Sequence, residues 1–237
     1  MAIPFYLAMT PQEFQSIPTL PQRTAWMGCR FSREDPGLSD LPDTLPPGSL
    51  LTVNDSFPLG NHDQNLILEQ LTDTVTQLGC DGVVLDFQGP WSENTAGLVR
   101  YLSAKLPSPM AVSELYAKDT HRSIFLSPTP ADTSLAHHLN PWKDREVWLD
   151  LAPGHQTMVI TESGAHYAPW DPTNDRENYF PDAVLHTHYR IETGDSLRFP
   201  MFRTAEDLLA ILSEAEKYHV TKAVGLYQEW KKSPGLP

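Results

Sequence analysis

The chain has 237 residues, of which 40% are hydrophobic and 20% charged, a balance that fits one globular domain with a substantial core and excludes wholesale disorder. Its formal net charge of −13, with no basic run of five, argues against a phosphate backbone as partner, so no nucleic acid is expected. The opening Met1-Ala-Ile-Pro-Phe-Tyr-Leu-Ala-Met lacks the charge and long apolar stretch of an export signal. No 18-residue apolar span follows it, so the expectation is a soluble, cytoplasmic protein with no membrane contact.

The 22 prolines imply sharply ended strands and stiff loops rather than a helical bundle. Residues 3–9 read as a first strand, and Thr10-Pro11 then starts a helix with a Thr cap and Pro at its first position. A second strand is expected at 24–31, a Pro- and Asp-rich surface loop at 32–48, and a third strand at 50–54 that ends in Asp55. Leu66, Ile67, Leu71, Val75 and Leu78 recur at the three- and four-residue spacing of an amphipathic helix over 63–78, with Gly79 as its stop. The run Val83–Phe87 is the fourth strand. A helix is expected at 94–106, and strands at 110–116 and 123–126. Strands alternating with helices favour a parallel α/β architecture.

From about 144 to 200 the rhythm is irregular. His137 to Trp142 reads as the end of a short helix. Segments 146–151 and 157–161 read as a β-hairpin around Ala-Pro-Gly-His, and segments 183–192 and 196–202 as a second around Thr193-Gly-Asp195. Thr204 then caps a helix, and Lys222 to Trp230 is read as a last strand. Cys29 and Cys80 lie in apolar surroundings and are expected to be buried free thiols.

The segment Asp81-Gly-Val-Val-Leu-Asp86-Phe-Gln88 resembles the signature of family 18 glycoside hydrolases, Asp-Gly-x-Asp-x-Asp-x-Glu, which forms the fourth strand of a (β/α)8 barrel. Asp81, Gly82 and Asp86 match, whereas Val84 replaces the middle Asp and Gln88 the Glu. In that family the Glu protonates the leaving glycosidic oxygen, and the Asp two residues earlier orients the acetamido group that acts as nucleophile. Gln88 has no proton to give. The fourth place of this strand in the chain agrees with the family order, and the terminal Glu229-Trp230 resembles the Trp that closes the family's eighth strand and floors a sugar subsite. The resemblance implies a TIM-like (β/α)8 barrel over residues 1–237, irregular in its C-terminal half with β-hairpin insertions.

In such a barrel the site lies at the carboxyl ends of the strands. The candidates there are Asn54, Asp55, Asp86, Gln88, Glu114, Tyr116, Asp150, Tyr227, Glu229 and Trp230. In the last strand Val224 and Leu226 are read as facing outward, which turns Tyr227 and Glu229 inward. Glycosidases work with a pair of carboxyl groups, so Asp86, Glu114 and Glu229 are the catalytic candidates. Gln88, Asn54, Asp55, Tyr116, Tyr227 and Trp230 are the substrate-binding ones. His186-Thr-His188 puts two imidazoles on one strand face, but without further ligands in the right order no metal and no cofactor are expected. Glycine-rich nucleotide loops and a serine-hydrolase elbow are absent from the sequence.

Three readings stay open: a glycosidase using a displaced carboxylate as acid, a non-catalytic carbohydrate-binding protein, and a barrel with an unrelated small-molecule activity. The sequence leaves the oligomeric state open.

Overall fold

The computed structural model describes residues 2–169 and 178–231. Eight parallel strands close into a barrel: β1 (Phe5–Met9), β2 (Thr24–Phe31), β3 (Leu50–Asn54), β4 (Gly82–Asp86), β5 (Met110–Ser113), β6 (Ser123–Leu126), β7 (Val147–Asp150) and β8 (Val220–Leu226). Each strand pairs with its neighbour in chain order. The ring closes where β1 meets both β8, with Phe5 opposite Ala223, and β2, with Leu7 opposite Thr24. The expected fold class is therefore the observed one.

The helices are α1 (Pro11–Ser16), α2 (Gln64–Leu78), α3 (Glu93–Lys105), α4 (Leu135–Leu139), α5 (Ala205–Ala215) and α6 (Tyr227–Trp230). Their ends follow the local chemistry of capping. Thr10 and Glu13 form a capping box at α1, Asp63 and Ser92 cap α2 and α3, and Thr204 with Asp207 makes a second box at α5. Gly79 ends α2 in the left-handed conformation at φ 63°, as its place after the periodic run requires. A 3₁₀ helix at Glu114–Asp119 takes the place of the C-terminal half of the strand expected over 110–116.

The second expected hairpin is present, with Glu192 and Thr193 opposite Arg198 and Leu197, and His188 opposite Phe202. The first is not. Residues 147–150 are a barrel strand, and Gln156–Thr161 instead pairs antiparallel with Gly164–Pro169 and with Leu197–Phe202. These segments, with Phe180–Asp182 and Thr187–Tyr189, build a second, antiparallel sheet between β7 and α5. Arg203 ties that sheet to the barrel: its buried guanidinium donates to the carbonyls of Thr129 (2.6 Å), Pro130 (3.0 Å) and His186 (3.2 Å).

The barrel interior is packed by Tyr6, Ala8, Ala25, Leu50, Val84, Ala111, Trp148 and Val224. Two apolar layers lie outside it, one between β2–β5 and helices α2 and α3, the other around β6–β8 with α4 and α5. Small residues on facing strands make room for Trp148 and Tyr6. Gly82 belongs to this economy of space, because a Cβ there would stand 2.7 Å from the Pro109 carbonyl oxygen and 2.8 Å from the Trp148 ring.

Asp81 accepts the Tyr6 hydroxyl at 2.8 Å, and Lys222 Nζ lies over the Tyr6 and Trp148 rings at 5.7 and 5.1 Å. The first acid of the motif thus closes the amino-terminal floor of the barrel, and the open end is the opposite one.

Both cysteines are free, but only Cys29 is buried; Cys80 follows the end of α2 and is half-buried, a correction to the expectation of two buried thiols. Burial raises both thiols, Cys80 to about 11 and Cys29 further. Maleimide at pH 7 should therefore react slowly with both and with Cys80 first. Fast modification of Cys29 in the native protein would contradict this packing.

Candidate active site at the carboxyl end of the barrel

β4 is apolar on both faces until its last residues, so the polar groups emerge only where the strand leaves the barrel. Asp86 is the last strand residue and, like Val84, faces the interior. The chain is then turned by two fixed contacts. Ser113 Oγ accepts the Phe87 N–H at 2.8 Å while donating to the Leu85 carbonyl at 3.0 Å. Asp55 accepts the N–H groups of Gln88 at 3.0 Å and of Gly89 at 2.9 Å. The side chain of Gln88 folds back so that its amide NH₂ donates to both carboxylate oxygens of Asp86, each at 3.2 Å.

These groups open onto a cavity of about 410 Å³ lined by Asp86, Gln88, Ser113, Glu114, Phe125 and Asp150 among others. Glu114, at the start of the 3₁₀ helix, is exposed and accepts the Ser127 hydroxyl at 2.8 Å. Asp150 ends β7. It alternates with Trp148, whose ring fills the barrel, and so points inward.

The carboxyl groups share their electrostatics. Burial lifts Asp86 above the ordinary carboxylate range; the Gln88 amide opposes this and the charge of Asp55 adds to it. Burial, then the charges of Asp86 and Glu229, push Asp150 up to about 7, against a backbone hydrogen bond at Leu151. Glu229, on α6, is also raised by burial, and its Oε2 is buried without a hydrogen-bond partner among the described residues. The mouth of the barrel therefore holds several carboxyl groups in a desolvated space, where like charges favour protonation of one of them.

Other sequence candidates lie elsewhere. Asn54 donates to the Met27 and Cys29 carbonyls at 3.3 and 3.0 Å and so laces β3 to β2. Asp55 positions the Gln88 loop, as above. Tyr116 is fully buried in the outer apolar layer, edge-on to Phe87, with its hydroxyl accepting the Ser92 N–H at 3.3 Å. Tyr227 opens α6 and has the Lys231 ammonium 5.7 Å from its ring centre.

Trp230 is 4% exposed, lies against Phe5, and donates its indole N–H to the Leu151 carbonyl at 2.9 Å, so it is packed outside the barrel wall rather than at the rim. The expected facing of β8 is reversed: Val224 and Leu226 pack into the interior, and the strand gives way to α6 after Leu226. The His186 and His188 imidazoles diverge, one meeting Glu214 at 2.7 Å and the other Asp207 at 3.0 Å. Among the described residues no group of three or more His, Cys, Asp or Glu could hold a metal ion. None of the described helices is long and apolar enough to cross a membrane.

Sequence reasoning placed Asp150 at a strand end without giving it a role, since Val-Trp-Leu-Asp carries no motif. The available signal was its position, the last polar residue of a strand otherwise apolar.

No protein-family model matches the sequence, and no curated protein does either. Solved structures do resemble it. A family 18 N-acetylglucosaminidase from Paenibacillus barengoltzii aligns with a TM-score of 0.60 at 13% identity over 95% of both chains. A class V chitinase from Nicotiana tobaccum, solved with NAG4, aligns with a TM-score of 0.59 at 11% identity over 95% of this chain and 93% of that one. The spore cortex-lytic enzyme SleL of Bacillus cereus gives 0.59 at 9% identity over 99% of this chain and 71% of its own. At such identities the likeness speaks for the fold alone, and in fold this chain is a TIM barrel similar to those of the family 18 glycoside hydrolases.

Proposed function

We propose that this protein acts on a carbohydrate in the cavity at the carboxyl end of the barrel, with Asp86 as one working carboxylate, and that it is a glycoside hydrolase whose acid is displaced from the position of Gln88. One observation carries the reading: Asp86, Gln88, Glu114 and Asp150 line a single cavity at the end of the barrel where such folds do their chemistry. The neighbour solved with NAG4 makes N-acetylglucosamine oligomers the first ligands to try. The whole chain is taken as one barrel domain, with the second sheet as an insertion in it. Two unpaired thiols suit a reducing compartment such as the cytoplasm.

A second reading has an observation of its own. The Gln88 amide satisfies both Asp86 oxygens, as a site kept for binding alone would allow. Turnover of N-acetylglucosamine oligomers, with binding measured in parallel, separates the two. On the hydrolase reading Asp86→Asn retains binding and loses on the order of 10²-fold or more in kcat. On the binding reading the wild type binds without cleaving, and Gln88→Glu, which places a carboxyl group beside Asp86, makes cleavage detectable. An unmodified protein that neither binds nor cleaves any such oligomer rejects both.

A further inference from the structure

We propose that Asp150 is the proton donor of this cavity, doing from the seventh strand what the residue at position 88 cannot do from the fourth. The inference rests on the hydrolase reading above.

Position comes first. Asp150 stands at the carboxyl end of β7, faces the interior, and lines the same cavity as Asp86 and Gln88. Its place is fixed on both sides, since Val224 of β8 is its register partner and the Leu151 N–H donates to the Val224 carbonyl at 2.7 Å. Glu229 reaches toward the same region from α6, where one of its oxygens is buried and unpaired among the described residues.

The groups around the cavity divide the roles. Burial raises Asp86 as well, but the Gln88 amide donates to both of its oxygens and opposes that rise. Burial and the charges of Asp86 and Glu229 push the Asp150 carboxyl up to about 7, so an appreciable fraction of it keeps its proton at neutral pH. Glu114 is exposed and engaged as an acceptor from Ser127. One carboxylate is hydrogen-bonded toward its charged form and another is pushed toward its protonated form across one cavity, which is the pairing that glycoside hydrolysis uses.

The proton of Asp150 passes to the glycosidic oxygen as the bond from that oxygen to the anomeric carbon breaks, and the electron pair of the bond stays with the oxygen. The leaving sugar departs as an alcohol. A water oxygen bonds to the anomeric carbon and its proton passes to Asp86. Asp86 then releases that proton to solvent and Asp150 takes one up, so that one water is consumed for each linkage cleaved.

The test compares leaving groups. In Asp150→Asn, cleavage of an N-acetylglucosamine oligomer should fall about 10²- to 10⁴-fold. Cleavage of the 2,4-dinitrophenyl glycoside, whose leaving group needs no proton, should fall less than about tenfold. Asp150→Glu, which keeps an acid, should recover part of the oligomer activity. In Glu229→Gln one of the charges that raises Asp150 is gone, so the alkaline limb of the pH–rate profile should move to lower pH.

Equal losses on the two substrates, or none on either, would overturn the assignment of Asp150 while leaving the hydrolase reading in place. A wild type that binds the oligomer but cleaves neither substrate would overturn the hydrolase reading and this inference with it.

Discussion

Truncating Trp230 to alanine is expected to destabilise the protein by about 3–5 kcal/mol, the range for removing a buried aromatic side chain. In the folded chain the indole lies against Phe5 with ring centres 4.4 Å apart, and its N–H supplies the hydrogen bond to the Leu151 carbonyl. Its fit is tight: a Cβ on Gly225 would stand 2.4 Å from the indole nitrogen. The truncation leaves both a void and an unpaired carbonyl next to Asp150. A fall in Tm on the order of 10 °C is the expected readout. Trp230→Phe, which keeps most of the volume and loses the donor, should fall between the alanine variant and the wild type. If Trp230 were instead a platform for a sugar ring, the alanine variant would keep its Tm and lose ligand affinity.

The other large effect concerns stability against pH. Asp150 rises from an ordinary 3.8 to about 7 in the fold, so the native state holds a proton that the unfolded chain has given up between those values. Stability contributed by this group is complete below about pH 4, declines as pH rises toward 7, and is absent above. Asp150→Asn removes the titration. The variant should match the wild type near pH 4 and exceed it at pH 8, by roughly 1–3 kcal/mol once solvent at the mouth of the cavity is allowed for. Melting curves of the two proteins at pH 4.5 and 8 decide it, and an offset that is the same at both would show that burial of the charge is not the cause. The variant that loses the proposed acid is thus expected to gain stability, which separates loss of activity from loss of fold.

Much of the barrel was legible because its signals are local. The apolar spacing from Leu66 to Leu78 and the Gly at 79 define α2, and the polar residues that follow Leu85 mark where β4 leaves the core. Alternation could not orient β8, because a parallel strand is apolar toward both the helices and the interior; Val224 is greasy whichever way it faces, and it faces in. Trp230 was misplaced for the same reason, compounded by the turn into α6 after Leu226. The position of Asp86 and Gln88 at the end of β4 was legible from a motif, while Glu114, expected within a strand over 110–116, stands instead at the start of the 3₁₀ helix. The electrostatic weight of Asp150 was not legible, since it comes from Asp86 and Glu229, residues 64 and 79 positions away in the chain. The hairpin of Gln156–Thr161 with Gly164–Pro169 escaped because its outer strand is exposed along most of its length and carries no buried periodicity.

The grip of Arg203 on Thr129, Pro130 and His186 also sets an order of assembly. The loop after β6, whose Ser127 and Pro128 form part of the cavity wall, gains these anchors only when a residue more than 70 positions later is in place. Closure of the ring waits longer still, for β8 to reach β1 across nearly the whole chain. During synthesis the N-terminal strands thus emerge long before the wall of the cavity and the last strand of the barrel, and contacts of such long sequence separation make for slow folding. The cavity itself is walled by segments from Asp86 to Asp150, so its lining is in hand before the ring closes, but one of its loops waits for Arg203 to be anchored.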